Sequence, residues 1–141
     1  MDNSSNIRPY ALGDYPQVRR ILEEGGLFYE PMDSPDRMEK KISRDPNSIF
    51  VAVEQDQVVG TVSIMEDGRL GFVFRLAVAV GHRNQGIGLG LMTHAEQELT
   101  DRGYDEIHIL LEEDNPGLRE YYKKQGYEEG NPYRWMTKER K

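Results

Sequence analysis

One stretch decides the fold, and it runs Leu76-Ala77-Val78-Ala79-Val80-Gly81-His82-Arg83-Asn84-Gln85-Gly86-Ile87-Gly88-Leu89-Gly90-Leu91-Met92. An apolar strand leads into a turn with three alternating glycines, and the turn opens a helix that we predict over residues 88–102. Glycines let a ligand approach the backbone, and the first amides of a helix lack internal partners at the positive end of its dipole. The pattern therefore predicts a cradle for a pyrophosphate, with the charge of Arg83 at its rim.

Other glycine-rich phosphate loops fit this stretch poorly. A P-loop needs Lys and then Ser or Thr after its last glycine, where this chain has Leu91-Met92. A dinucleotide-binding fingerprint needs G-x-G-x-x-G on the first strand–helix unit, whereas Gly86-x-Gly88-x-Gly90 follows several predicted strands. The plainest alternative is a turn whose glycines only allow tight packing, and the alternating glycines beside an arginine favour the anion cradle over it.

Upstream of this loop, the sequence predicts two helices and an antiparallel meander. Asp14 and the Ser34-Pro35-Asp36 run stand where helices begin, while Gly25-Gly26 and Asp45-Pro46-Asn47 stand where they end. Apolar and β-branched runs joined by short polar turns predict the strands. The predicted strands are Ile7–Pro9, 48–54, 58–65 and 70–80.

Downstream of the loop helix, the sequence predicts alternating strands and helices. Residues 107–111 look like a short buried strand, and Asn115-Pro116 opens a helix that ends at Gly126. A strand begins at Tyr127, and a last one is predicted over residues 132–138, carrying Trp135. Together with the meander, this order indicates a layered domain of the α/β or α+β class.

Composition excludes several classes of protein. The 141 residues, 37% hydrophobic and 30% charged, suit one soluble domain. The absence of cysteine excludes disulfides, thiolate metal sites and a cysteine nucleophile, and the three histidines lack metal-ligand spacing, so no metal is expected. A net charge of −7 argues against nucleic acid; it either favours a cationic partner or simply maintains solubility. Without a signal-peptide pattern or a membrane-spanning run, we expect a cytoplasmic protein that does not bind a membrane.

Two motifs resemble those of the GNAT superfamily of N-acetyltransferases. Arg83-Asn84-Gln85-Gly86-Ile87-Gly88 resembles its R/Q-x-x-G-x-G/A loop, with Leu76-Ala77-Val78 where the preceding L-x-V strand ends. Asn115-Pro116-Gly117-Leu118-Arg119-Glu120-Tyr121-Tyr122-Lys123-Lys124-Gln125-Gly126-Tyr127 resembles its N-P-x-A-x-x-x-Y-x-x-x-G-F helix and strand. The resemblance extends over the whole chain. It implies a single domain, residues 1–141, with a mixed sheet of about six to seven strands flanked by about four helices.

The resemblance also implies a cosubstrate and residue roles. The cosubstrate would be acetyl-CoA, with its pyrophosphate on the loop amides and its pantetheine arm along the strand before the loop. Tyr122 aligns with the tyrosine that protonates the departing thiolate. The segment between the first two helices would line the acceptor pocket through Phe28, Tyr29 and Glu30, where aromatic and acidic groups suit a cationic amine. The implied coenzyme-binding residues are Leu76, Ala77, Val78, Arg83, Asn84, Gln85, Gly86, Ile87, Gly88, Leu89, Asn115 and Arg119.

The expected reaction moves an acetyl group to a primary amine of a small molecule or a protein. Without cysteine, we expect direct attack in a ternary complex, with a backbone amide near Val78 as the donor to the oxyanion. The register of the family motif favours Tyr122 as the acid and Tyr121 as a core residue, although tyrosines on one face of a helix more often serve only to pack the core. A homodimer is compatible with the resemblance, and the competing interpretation is a non-catalytic acyl-CoA sensor on the same fold.

The general base stays open at this point. Glu112 and Glu113 follow a predicted strand beside the expected cleft, and Glu30 and Asp33 lie in the acceptor segment. Deprotonation relayed through water is equally compatible with the sequence. Arg75 stands near the position where some relatives carry a glutamate base, which leaves the identity of the base undetermined.

Overall fold

The computed structural model describes residues 6–140, which form two compact units divided after Ile109. No helix in this described part has the length and apolar character needed to cross a membrane. The first unit contains β1 (Ile7–Pro9), α1 (Tyr15–Glu24), α2 (Pro35–Arg44), β2 (Ile49–Glu54), β3 (Gln57–Glu66), β4 (Gly71–Val78) and α3 (Ile87–Asp101). Short 3-10 turns occupy Leu12–Asp14 and Val80–His82. The second unit contains α4 (Pro116–Lys123).

The strands of the first unit form one antiparallel sheet in the order β1-β2-β3-β4. Ile7 pairs with Ala52, Phe50 with Val62, and β3 runs back along β4. The predicted meander is therefore confirmed, with strand ends within about two residues of the expected ones because the hydrophobic runs and the turns between them are local signals.

Local sequence explains where the helices of the first unit begin. Ser34 caps α2, because its hydroxyl oxygen accepts a hydrogen bond from the Arg37 amide at 3.2 Å. Asp14 precedes α1 as predicted, but its carboxylate instead accepts hydrogen bonds from the Ala11 amide and the Arg8 guanidinium. That carboxylate therefore ties β1 to the start of α1 rather than capping the helix.

The core lies on both faces of the sheet. On one face, Ile49 and Val51 pack with buried residues of α1 and α2, while the alternation of the strand turns Phe50 to the other face, against the His94 ring of α3 at 4.5 Å. The approach of α3 requires a glycine in β3: a Cβ on Gly60 would lie 2.8 Å from Leu91 Cδ1. This close packing holds the beginning of α3 against the sheet.

The α/β class with four helices is confirmed, but the described residues contain four strands rather than six to seven. The strand predicted over 107–111 is reduced to one parallel bridge between His108 and Phe72. The strands predicted from Tyr127 and over 132–138 are wrong, since residues 124–140 form neither helix nor strand. A strand exists only through pairing with a neighbour, so apolar alternation around Trp135 is not sufficient to produce one.

Candidate active site

The glycine loop leads into α3, and the amino terminus of this helix has no side-chain cap. Gly86 is the N-cap residue at φ 82°, a left-handed conformation that favours glycine, and no side chain caps the helix. In contrast, Ser34 caps α2 and Asn115 caps α4 with side-chain oxygens. The first turn closes where the Gly90 amide donates to the Gly86 carbonyl at 3.0 Å, so the amides of residues 87–89 precede the helical ladder.

The space at this terminus is open. A Cβ on Gly86 would meet no atom within 4 Å, so a ligand can reach the backbone there. Arg83 is exposed at the rim, and its Nε donates to the Val78 carbonyl at 3.1 Å. Uncapped amides, the helix dipole and a nearby guanidinium together fit the phosphates of coenzyme A.

A bulge interrupts β4 immediately before the predicted pantetheine segment. Ser63 pairs with Phe74 but Thr61 pairs with Ala77, so β4 carries one residue more than β3 across this interval. Arg75 lies in the bulge at φ 59°, a left-handed conformation that is uncommon for a residue with a side chain. The bulge redirects the chain just before Leu76.

Among the described residues, no strand pairs with the outer edge of β4 at Leu76–Val78. Ala77 and Val78 pair with β3 on the inner edge, and β4 is the last strand in the order of the described sheet. Its outer edge carries a single bridge, at Phe72. An extended amide-containing chain such as pantetheine fits such an edge by adding to it in the manner of a strand.

A cavity of about 90 Å³ lies between α1, α2 and the sheet of the first unit. Its walls are partly apolar, with contributions from Met38 and Phe74. Four charged side chains also line it, and three of them are basic: Asp33, Arg37, Lys41 and Arg75. Since Phe74 and Arg75 directly precede Leu76, the cavity adjoins the strand segment that is predicted to bind pantetheine.

An ion pair closes one side of this cavity. The Arg75 guanidinium donates to the Asp33 carboxylate and, at 2.6 Å, to the Leu27 carbonyl. The same carboxylate accepts a hydrogen bond from the Tyr29 amide at 2.9 Å. Asp33, considered above as a base, is buried and engaged by two donors in this arrangement.

The predicted acceptor residues lie in the same segment but outside the lining of this cavity. Phe28 packs against the core and has the Arg19 guanidinium over its ring at 4.5 Å. Tyr29 is 54% exposed and Glu30 is also exposed. Their role in acceptor binding stays a prediction, while Met32 and Asp33 are the residues of this segment that reach the cavity.

The second unit carries the other motif. Asn115 Oδ1 accepts from the Leu118 amide at 3.1 Å, so this oxygen caps α4. The Arg119 guanidinium donates to the Glu113 carbonyl and lies 3.8 Å from a Glu129 carboxylate oxygen. Both residues can still present side-chain nitrogens, and their roles toward coenzyme A stay predictions.

The two adjacent tyrosines differ in burial. Tyr122 is 7% exposed, with its ring edge-on to those of Tyr121 at 5.1 Å and Tyr127 at 5.7 Å. The expectation that Tyr121 is a core residue is wrong, since Tyr121 is 41% exposed. Successive helical residues point about 100° apart, so the inward face of a short helix accommodates only one of them.

Glu112 and Glu113 do not follow a strand, because none forms at residues 107–111; both are exposed next to a turn. Sequence reasoning also missed the basic cavity wall. Arg37 and Lys41 stand four residues apart and flank the predicted apolar position Met38, which is the signal that would have placed both on one side of α2.

Comparisons with known sequences identify the family of this chain. Residues 15–127 match the sequence profile of the acetyltransferase (GNAT) family. A protein named acetyltransferase from Pectobacterium atrosepticum is 32% identical over 123 residues, which are 86% of each chain. The chain therefore belongs to the GNAT family, as its two motifs predicted, and it is an acyltransferase.

Solved structures show the same fold at lower identity. PaiA N-acetyltransferase from Thermoplasma acidophilum, solved in complex with coenzyme A, matches with a TM-score of 0.71 and 18% identity over 84% of this chain and 86% of that one. An aminoglycoside acetyltransferase from an uncultured soil metagenomic sample, solved with sisomicin, matches with a TM-score of 0.72 and 23% identity over 94% and 95%.

Proposed function

We propose that this enzyme transfers the acetyl group of acetyl-CoA to a primary amine by direct attack in a ternary complex. The observation that carries the proposal is the continuity of two features: the open edge of β4 over residues 76–78 and the uncapped start of α3 at Gly86. Pantetheine and pyrophosphate are consecutive parts of coenzyme A, and these two surfaces are consecutive in the chain. The complex of the PaiA relative with coenzyme A supports the choice of cosubstrate.

Different residues of this chain would bind different parts of acetyl-CoA. The amides of residues 87–89 and the Arg83 guanidinium would hold the phosphates. The edge of Leu76–Val78 would align the pantetheine arm, and a backbone amide near Val78 would donate to the oxygen of the thioester as negative charge develops on it. When bound, acetyl-CoA supplies an acetyl group activated as a thioester.

The chemistry also requires two proton movements. The attacking amine must be neutral, and we propose that water relays its proton, since Asp33, the one carboxylate among the residues that line the cavity, is paired with Arg75. Tyr122 would return a proton to the departing thiolate, in the role that the family motif gives its tyrosine. With no cysteine in the chain, the acetyl group would pass to the amine without a cysteine-bound intermediate.

Isothermal titration with acetyl-CoA, followed by a thiol-release screen over amino acids, polyamines, aminoglycosides and short peptides, tests the proposal. We expect saturable binding and thiol release with one class of amine. Failure to bind acetyl-CoA would contradict the cosubstrate assignment. Binding without release on any amine would contradict the transfer reaction and favour an acyl-CoA sensor.

A further inference from the structure

The cavity beside β4 carries positive charge in an otherwise acidic protein. The whole chain has a net charge of −7, yet this cavity is lined by Arg37, Lys41 and Arg75 against the single carboxylate of Asp33. Because Arg75 already pairs with Asp33, the other two basic side chains supply the excess charge. Such a lining attracts an anionic group and repels a second cation.

Arg37 and Lys41 make no close ion pair with any carboxylate of the described residues. In this part of the chain the charge of Asp45 acts on Lys41 only from beyond ion-pair distance. Lys41 Nζ donates to the Ile64 carbonyl at 2.6 Å and lies 5.3 Å from the centroid of the Phe74 ring, and burial lowers the pKa of this ammonium. A half-buried ammonium whose hydrogen-bond acceptor is a neutral carbonyl is stabilised by an anion that enters beside it.

Arg75 presents a further unmet donor. Its Nε is buried without a hydrogen-bond partner, although its Nη2 serves Asp33 and Leu27. Buried donors usually find an acceptor, so this nitrogen is an unsatisfied donor in a side chain that lines the cavity. The cavity thus offers a carboxylate the positive charge and the N–H donors of Arg37 and Lys41.

Position and size connect this cavity with the acceptor rather than with coenzyme A. It adjoins the bulge of β4, directly before the strand segment assigned to pantetheine, and it lies between the sheet and α1 and α2. Its volume of about 90 Å³ is far below the roughly 300–1,000 Å³ of pockets that enclose drug-sized ligands. It therefore suits one small group of a larger acceptor, with an apolar stem against Met38 and Phe74.

We propose that the acceptor amine also bears a carboxylate, which binds in this cavity beside Arg37 and Lys41, so that the acceptor is an amino acid. This inference rests on the proposed acetyl transfer and specifies its substrate class. It replaces the expectation of a cationic acceptor, which followed from the acidic net charge and the residues Phe28, Tyr29 and Glu30.

The test compares the twenty α-amino acids with their amides, which keep the amine and side chain but lose the anionic charge. Thiol release from acetyl-CoA is measured for each pair, with spermidine as a cationic amine. We expect at least one amino acid to be acetylated with kcat/KM about tenfold above its amide, as befits one charge-assisted contact. Equal or faster reaction of the amides, preference for spermidine, or no reaction of any amino acid would overturn the inference.

Substitutions in α2 test whether the carboxylate of the acceptor binds beside Arg37 and Lys41. Arg37→Met and Lys41→Met should each raise KM for the preferred amino acid about tenfold while leaving KM for acetyl-CoA unchanged. Arg44→Met removes an exposed charge from the same helix outside the cavity and should change neither value. Arg37→Met alters an exposed side chain, so it is the variant less able to disturb the fold. If neither Arg37→Met nor Lys41→Met changes the KM for the amino acid, the assigned site is wrong. Failure of the unaltered enzyme to bind acetyl-CoA would instead refute the proposed function itself.

Discussion

Arg75 and Asp33, 42 positions apart in the sequence, form an ion pair that joins the bulge of β4 to the segment between α1 and α2. Their side chains are only 18% and 7% exposed, so the pair is shielded from solvent. The Tyr29 amide and the Leu27 carbonyl complete its hydrogen bonds. One wall of the proposed acceptor cavity is thus held by a contact between distant parts of the chain.

Breaking this pair should destabilise the protein. Arg75→Met leaves the Asp33 carboxylate buried without its cation, which we expect to cost about 3 kcal/mol in the free energy of unfolding. Adding Asp33→Asn should recover part of that loss, because an uncharged amide tolerates burial better. Urea denaturation of both single variants and the double variant measures the coupling, and additive single losses would contradict it. Arg69→Met removes an exposed partner of Asp67 and should have no measurable effect.

The glycine loop can be tested with two matched glycines at the two ends of α3. Gly86 at φ 82° and Gly103 at φ 98° both have left-handed backbones, and a Cβ on either would meet no atom within 4 Å. An alanine at either position should cost about 1 kcal/mol of stability through backbone strain alone. Only Gly86→Ala should also weaken acetyl-CoA binding, by about tenfold, since its Cβ intrudes on the approach of the phosphates. Titration calorimetry with equal loss in both variants would refute the assigned cradle.

The acid role of Tyr122 predicts a separation of turnover from binding. Tyr122→Phe removes the hydroxyl and keeps the buried ring, so kcat should fall by about a hundredfold while the dissociation constant of acetyl-CoA stays unchanged. Tyr121→Phe, at the exposed neighbour on the same helix, should leave both quantities unchanged. Steady-state kinetics and calorimetry on the two variants decide the matter, and an unaltered kcat in Tyr122→Phe would remove this residue from the mechanism.

Acid should weaken the contact that fastens α3 to α2. The Asp45 carboxylate accepts from the Arg102 guanidinium at 2.7 and 2.9 Å, and these hydrogen bonds hold the pKa of Asp45 below its ordinary 3.8. A lowered folded-state pKa adds stability above pH 3.8, and this stability is lost as the pH falls through the folded value. Because both side chains are partly exposed, we expect only about 1 kcal/mol at neutral pH.

Asp45→Asn should therefore be less stable than the unaltered protein at pH 7 and lose less stability between pH 6 and pH 3. Thermal melts across this range measure the difference. Asp36→Asn, which alters an exposed ion pair with Lys40 on α2, should follow the unaltered protein throughout. Parallel pH profiles for Asp45→Asn and the unaltered protein would show that Asp45 has no depressed pKa.

Much of the first unit could be predicted because its signals are local. The Ser34-Pro35 start of α2, the turns between the strands and the glycine start of α3 are each encoded within a few residues. The strands predicted after residue 107 failed because strand formation depends on a partner that the alternation of apolar residues does not specify. The core role predicted for Tyr121 failed because the register of the family motif identified the inward tyrosine but not the outward turn of its neighbour.

The sequence by itself determined the family and the candidate coenzyme cradle, since both depend on contiguous motifs whose geometry follows from glycine conformation and unpaired helical amides. Only the tertiary structure decided the character of the acceptor cavity. It brings Arg75 of β4 against Asp33 and places Arg37 and Lys41 on the same cavity, although net composition indicates an acidic protein. Local charge in a cavity depends on which side chains meet across distant segments, and that is a property of packing.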